Sequence, residues 1–136
     1  MKGWVACAFL VATASLTVQA AIMSEEDYSK TMKQVAQQNM ALGKSVASAS
    51  ETDVAAASAR LETLFKDVQA YWEGKKVDDA SGFAKNAVAA AHAMSTAAAA
   101  HDMAAAAAAA TTLRAQCASC HMAHREQQPD KTYKMK

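Results

Sequence analysis

Apolar residues spaced three and four apart recur in four successive stretches of the chain, the seam that a helix buries when it packs in a bundle. The first stretch follows Ser24, an N-cap before the acidic turn Glu25, Glu26 and Asp27, and its seam reads Tyr28, Met32, Val35, Asn39, Leu42, Val46 and Ala49. The second starts near Thr52 or Asp53 and carries Val54, Ala57, Leu61, Leu64, Val68 and Tyr71, with Phe65 and Trp72 beside them and Gly74 closing it. The third starts around Asp78 or Asp79 and aligns Phe83, Ala87, Ala90, Met94, Ala97 and His101. The fourth is capped by Asp102 and aligns Met103, Ala106, Ala110, Leu113, Cys117, Cys120 and His124, ending before Pro129. Residues 97 to 110 are nearly continuous Ala, so only His101 and Asp102 mark a break between the third and fourth helices. Connections this short favour antiparallel neighbours, and the pattern predicts an all-α, up-down-up-down four-helix bundle.

Ahead of these helices, Lys2 precedes an apolar run from Trp4 to about Val18, followed by Val18-Gln19-Ala20, a small-x-small cleavage site. The run is shorter than the ~20 apolar residues of a membrane span and is interrupted by Thr13, Ser15 and Thr17, so it reads as a secretory signal peptide over residues 1–20. Cleavage near Ala20 leaves a domain over residues 21–136, exported to the periplasm and without stable membrane insertion. Cys7 departs with the signal, being too near the N-terminus for a lipoprotein cysteine. Cys117 and Cys120 are then the only cysteines left.

Composition sharpens the fold class. Of 136 residues 36 are Ala, against four Gly and one Pro. Ala is the best helix former and a poor strand residue, which excludes sheet folds. The 14 basic residues fall to 13 on loss of Lys2, against 13 acidic ones. A formally neutral domain offers no nucleic-acid or polybasic membrane surface, because counterion release needs an excess of Lys and Arg. The third and fourth helices bring mostly methyl groups to the core. At ~25 cal/mol per Å² buried, such an interior calls for something large and apolar to fill it.

Residues 117 to 121 read Cys-Ala-Ser-Cys-His, the C-x-x-C-H pattern of covalent c-type haem attachment. On a helix Cys117, Cys120 and His121 stand at i, i+3 and i+4 and project from one face. The two thiols are placed to add to the two vinyl groups of one haem, and the imidazole to reach its iron. The other readings are a redox-active disulfide, a zinc site and an inert pair. A thioredoxin-like motif follows a strand in a βαβ pattern, and no strand is visible; zinc needs a further ligand, for which His124 is the near candidate.

With this motif near its C-terminus and a Tyr28, Met32-Lys33, Asn39-Met40 pattern in its first helix, the chain resembles the class II c-type cytochromes, the cytochrome c′ and cytochrome c-556 group. Arg125 matches that family's basic position after the motif, while His124 replaces its usual aromatic and Ser29 stands where an Arg often follows the Tyr. The resemblance implies a four-helix bundle with one haem c, held through Cys117 and Cys120, and His121 as proximal iron ligand. It also implies a first-helix side chain on the opposite face of the iron.

Met32 is the candidate sixth ligand, since it lies on the seam, whereas Met40, eight positions on, falls roughly 80° round the helix. His92 and His101 lie on opposite faces of the third helix, so at most one faces the haem. His124 is on the proximal side, suited to a solvent-facing or propionate-side place, and Arg125 is a candidate partner for a haem propionate. The expected function is non-enzymatic: a periplasmic monohaem carrier of single electrons with His121/Met32 coordination, exchanging with periplasmic redox partners. The alternative is a five-coordinate, cytochrome c′-like protein that binds NO or CO while Met32 only packs. Some relatives dimerise through the first two helices, and the tail Lys131, Lys134 and Lys136 suits a solvated terminus, the other reading being a surface that steers an acidic redox partner.

Overall fold

The computed structural model describes residues 23–136. The signal-peptide reading of residues 1–20 lies outside them. The element order is α1 (Glu25–Ala47), α2 (Glu51–Lys75), α3 (Asp78–Ala99), α4 (Met103–His124), β1 (Arg125–Gln127) and β2 (Tyr133–Met135). Helices take 81% of the described residues, and the one departure from an all-helical chain is a small antiparallel hairpin of β1 and β2.

Local chemistry explains where each helix starts and stops. Ser24 caps α1 by accepting from the Asp27 amide at 3.1 Å. α2 begins at Glu51, earlier than the Thr52 or Asp53 start read from sequence, because Ser50 takes the N-cap place and its hydroxyl donates to Asp53 Oδ2 at 2.7 Å. Gly74 does not close α2; the left-handed residue is Lys76, with φ 58°, and the Val77 amide bonds back to the Trp72 carbonyl at 3.1 Å. Ala49, expected on the α1 seam, is outside the helix, exposed and left-handed with φ 51°.

The α3–α4 break is made by two residues. His101 adopts φ 61°, the Asp102 amide bonds back to the Ala97 carbonyl at 2.9 Å, and Asp102 Oδ1 then accepts from the Ala105 amide at 2.9 Å as N-cap of α4. His101 is therefore not on the α3 stripe. It is exposed, and its Nδ1 pairs with Glu51 Oε2 at 2.6 Å.

The contact between His101 and Glu51 joins the end of α3 to the start of α2, and the bond between Trp72 and Tyr28 joins the end of α2 to the start of α1. His124 Nε2 meets Asp79 Oδ2 at 2.9 Å, joining the end of α4 to the start of α3. Successive helices thus run in opposite directions. α2 and α3 pack most extensively, while α1 and α4 touch sparsely.

Large buried side chains concentrate on α2, with Leu61, Phe65, Val68, Tyr71 and Trp72, whereas α3 and α4 contribute Ala80, Ala84, Ala87, Ala91, Ala98, Ala106 and Ala110. At the end away from the motif the Ala face packs directly, with Ala106 and Ala110 no more than 1% exposed and Leu42, Met94 and Leu113 filling between helices. The unfilled space lies at the other end. Among the described residues, no helix is long and apolar enough to cross a membrane.

Candidate functional site

At the end where α1 and α3 begin and α2 and α4 finish, a narrow, partly open cleft with a cavity volume of about 20 Å³ lies between all four helices. α1 contributes Tyr28 and Met32; α2 contributes Phe65 and Val68; α3 contributes Phe83, Ala84 and Ala87; α4 contributes Gln116, Cys117, Cys120 and His121. Four of the five residues singled out from sequence, Met32, Cys117, Cys120 and His121, therefore share one wall-to-wall space. The helical repeat turns the motif inward and Met32 lies on the facing helix, so residues some 90 positions apart meet across the sparse α1–α4 seam.

Both thiols are free and half-buried. Burial pushes the Cys120 thiol up to about 11, with Cys117 and Asp79 adding to the rise. It also pushes up Cys117, against a hydrogen bond from Asn39 that works the other way. These are protonated thiols at neutral pH, the opposite of a dithiol tuned for exchange. His121 is held below its ordinary value by burial and by the nearby Arg125 guanidinium, so its imidazole is neutral. Arg125 Nη1 donates to His121 Nδ1 at 3.3 Å, which makes Nδ1 the acceptor and leaves Nε2 without a hydrogen-bond partner among the described residues.

Arg125 itself is not on the cavity wall. Its guanidinium carbon stands 3.3 Å from the centre of the Tyr133 ring. His124 is not solvent-facing, its side chain being 13% exposed, and it lies against Trp72 with ring centroids 5.4 Å apart. His92 and His101 both point away from the cavity and bind the carboxylates of Glu62 and Glu51. Met40 is 66% exposed, as its place off the seam requires.

Tyr28 forms the cavity end. Its hydroxyl accepts from Trp72 Nε1 at 3.2 Å, its ring stacks on Tyr71 at 4.2 Å, and burial pushes its ionisation up to about 12. Phe83 and Phe65 were legible as residues on or beside a helix seam, and Gln116 only as a helix residue. Nothing in one helix's pattern tells a core position from a cavity wall. Gln116 is placed by the Asn86 amide, which donates to its Oε1 at 3.3 Å.

The donors at the cavity are soft or neutral: two thiols, one imidazole and one thioether. This set suits a thioether-linked iron porphyrin better than a hydrated divalent ion. Among the described residues, no group of three or more His, Cys, Asp or Glu side chains is disposed to hold a bare metal ion. The walls are otherwise apolar and aromatic, as a flat hydrophobic macrocycle needs. No family model, curated protein or solved structure matches the chain, and the chemistry of the site rests on its own residues.

Proposed function

We propose that this chain is a monohaem c-type cytochrome of the periplasm that carries single electrons. The observation that carries the reading is the shared cavity of Cys117, Cys120 and His121 from α4 with Met32 from α1. Support also comes from the raised thiols, which disfavour disulfide exchange, and from the apolar walls. The N-terminal pattern of residues 1–20 supports export.

In this reading Cys117 and Cys120 would hold the haem through thioether links to its vinyl groups, and His121 and Met32 would supply an imidazole and a thioether to its iron. Bound there, the haem supplies one-electron exchange between Fe(III) and Fe(II). Phe65, Val68 and Phe83 exclude water from the macrocycle, and Tyr28 keeps its proton, so the walls hold charge fixed while the electron moves. A Met ligand raises the potential relative to a second imidazole.

A second reading keeps the haem and His121 but leaves Met32 as packing, with NO or CO taking the open iron position. The half-burial of Met32 on a wall shared with Phe65 and Phe83 favours it, because the thioether has room to move. Expression with a cytochrome c maturation system, followed by oxidised and reduced spectra with and without CO, tests both. Sharp reduced bands unmoved by CO are expected for the carrier. A high-spin spectrum that shifts with CO would replace it with the gas-binding protein, and no covalent haem would overturn both.

A further inference from the structure

The chain does not end at α4. Arg125 to Gln127 and Tyr133 to Met135 pair in the register Arg125↔Met135, Glu126↔Lys134 and Gln127↔Tyr133. Arg125 and Tyr133 are thus diagonal neighbours on one face of the hairpin. The turn is built by Asp130, whose Oδ1 accepts from the Thr132 amide at 2.9 Å and its hydroxyl at 2.6 Å. The far end is fastened to the bundle twice: Met135 packs against the core, and the Lys136 amide donates to the His124 carbonyl at 2.9 Å.

This arrangement gives Arg125 two partners. Its guanidinium carbon stands over the Tyr133 ring and its Nη1 reaches His121 Nδ1. An Arg at a helix end is ordinarily free to sample many rotamers, and the ring of Tyr133 removes that freedom. We propose that the C-terminal hairpin is a clamp in which Tyr133 positions the Arg125 guanidinium beside His121, so that a fixed cation sits next to the imidazole on the side away from its metal-binding nitrogen. The proposal rests on the reading of His121 as an iron ligand. With Nε2 binding a metal, Nδ1 carries the ring proton and no longer accepts from Arg125, so there the contact with the Tyr133 ring alone keeps the guanidinium near His121, and Tyr133 is a positioning residue for the proximal side.

The test uses the full chain after signal removal, prepared both without haem and with it, as wild type, Tyr133→Phe, Tyr133→Leu and Arg125→Leu. In the haem-free protein, nitrogen NMR of the histidine rings reads the His121 environment directly. Tyr133→Phe keeps the flat ring and is expected to leave the His121 signals in place; Tyr133→Leu is expected to move them in the direction that Arg125→Leu does. In the loaded protein the same Tyr133→Leu change should lower the reduction potential, because a nearby cation favours the less positive iron, while Tyr133→Phe retains the wild-type value. Wild-type His121 signals or a wild-type potential in Tyr133→Leu would overturn the clamp, as would an Arg125→Leu protein with unaltered His121. If no covalent haem is found, the reading of His121 as a ligand fails separately, and the haem-free spectra still decide whether Tyr133 positions Arg125.

Discussion

Trp72 Nε1 donates a 3.2 Å hydrogen bond to the Tyr28 hydroxyl across 44 residues of chain. Tyr28 is cavity wall, and Trp72 lies against His124, which in turn binds Asp79 at 2.9 Å. One line of contacts therefore takes a group from α1, α2, α4 and α3 and closes the end of the bundle behind the cavity.

Removing the Tyr28 hydroxyl strands a buried indole N–H. Tyr28→Phe should destabilise the chain by about 1–3 kcal/mol, the cost of an unsatisfied buried donor, with little change in packing. Urea unfolding of the haem-free protein measures it. A loss under about 0.5 kcal/mol would mean that water reaches Trp72.

Met32→Leu separates ligation from packing. Leu and Met have similar volumes, so the haem-free chain should change by less than about 1.5 kcal/mol. Under the proposed haem reading, the same change in the haem-loaded protein should convert a low-spin spectrum to a high-spin one that responds to CO. An unchanged spectrum would assign Met32 to the wall alone.

Acid should weaken the fold through two groups, with the same sign. The His124 hydrogen bond holds Asp79 below its ordinary 3.8, so its contribution is present above that pH and is lost as pH falls through the lowered value. Burial and Arg125 hold His121 below its ordinary 6.5, so the unfolded haem-free chain takes up that proton first and stability starts to fall as pH drops below 6.5. Urea midpoints across pH 3 to 8 check both: Asp79→Asn should flatten the lower part of the profile and His121→Gln the upper.

Lys76 ends α2 at φ 58°, a conformation that costs a side-chain-bearing residue about 1–2 kcal/mol. Lys76→Gly should therefore raise stability by on the order of 0.5–1 kcal/mol after the entropy cost of glycine. His101→Gly relieves a similar φ of 61° but discards the 2.6 Å contact with Glu51, so its gain should be smaller. Thermal unfolding ranks the two.

Much of the fold was legible in the sequence because helical periodicity is local. Ala content, Ser24, Asp102 and the seams from Tyr28 to Leu113 place four helices, and C-x-x-C-H at positions 117 to 121 puts two thiols and an imidazole on one face whatever surrounds them. The departures fell at the ends of elements, where cap bonds and strand pairing compete with the preference of single residues. Gly74 had the composition of a helix stop, yet the Val77 amide found the Trp72 carbonyl and moved the left-handed residue to Lys76. In the tail after Pro129, Lys131, Lys134 and Lys136 are exposed as expected of a solvated terminus, while strand pairing and the Tyr133 ring add a structure that its composition did not show.

The sequence by itself placed Cys117, Cys120 and His121 on one face of a helix and Met32 on the seam of another, since both follow from spacing along a 3.6-residue period. Tertiary structure alone decided that Met32 shares a cavity with a motif some 90 residues away, that Phe65 and Phe83 line it, and that Arg125 turns to Tyr133 as well as to His121. Those relationships depend on how far apart helices settle. That separation is fixed by the sum of all the Ala and aromatic contacts between them, which no single stretch of sequence contains.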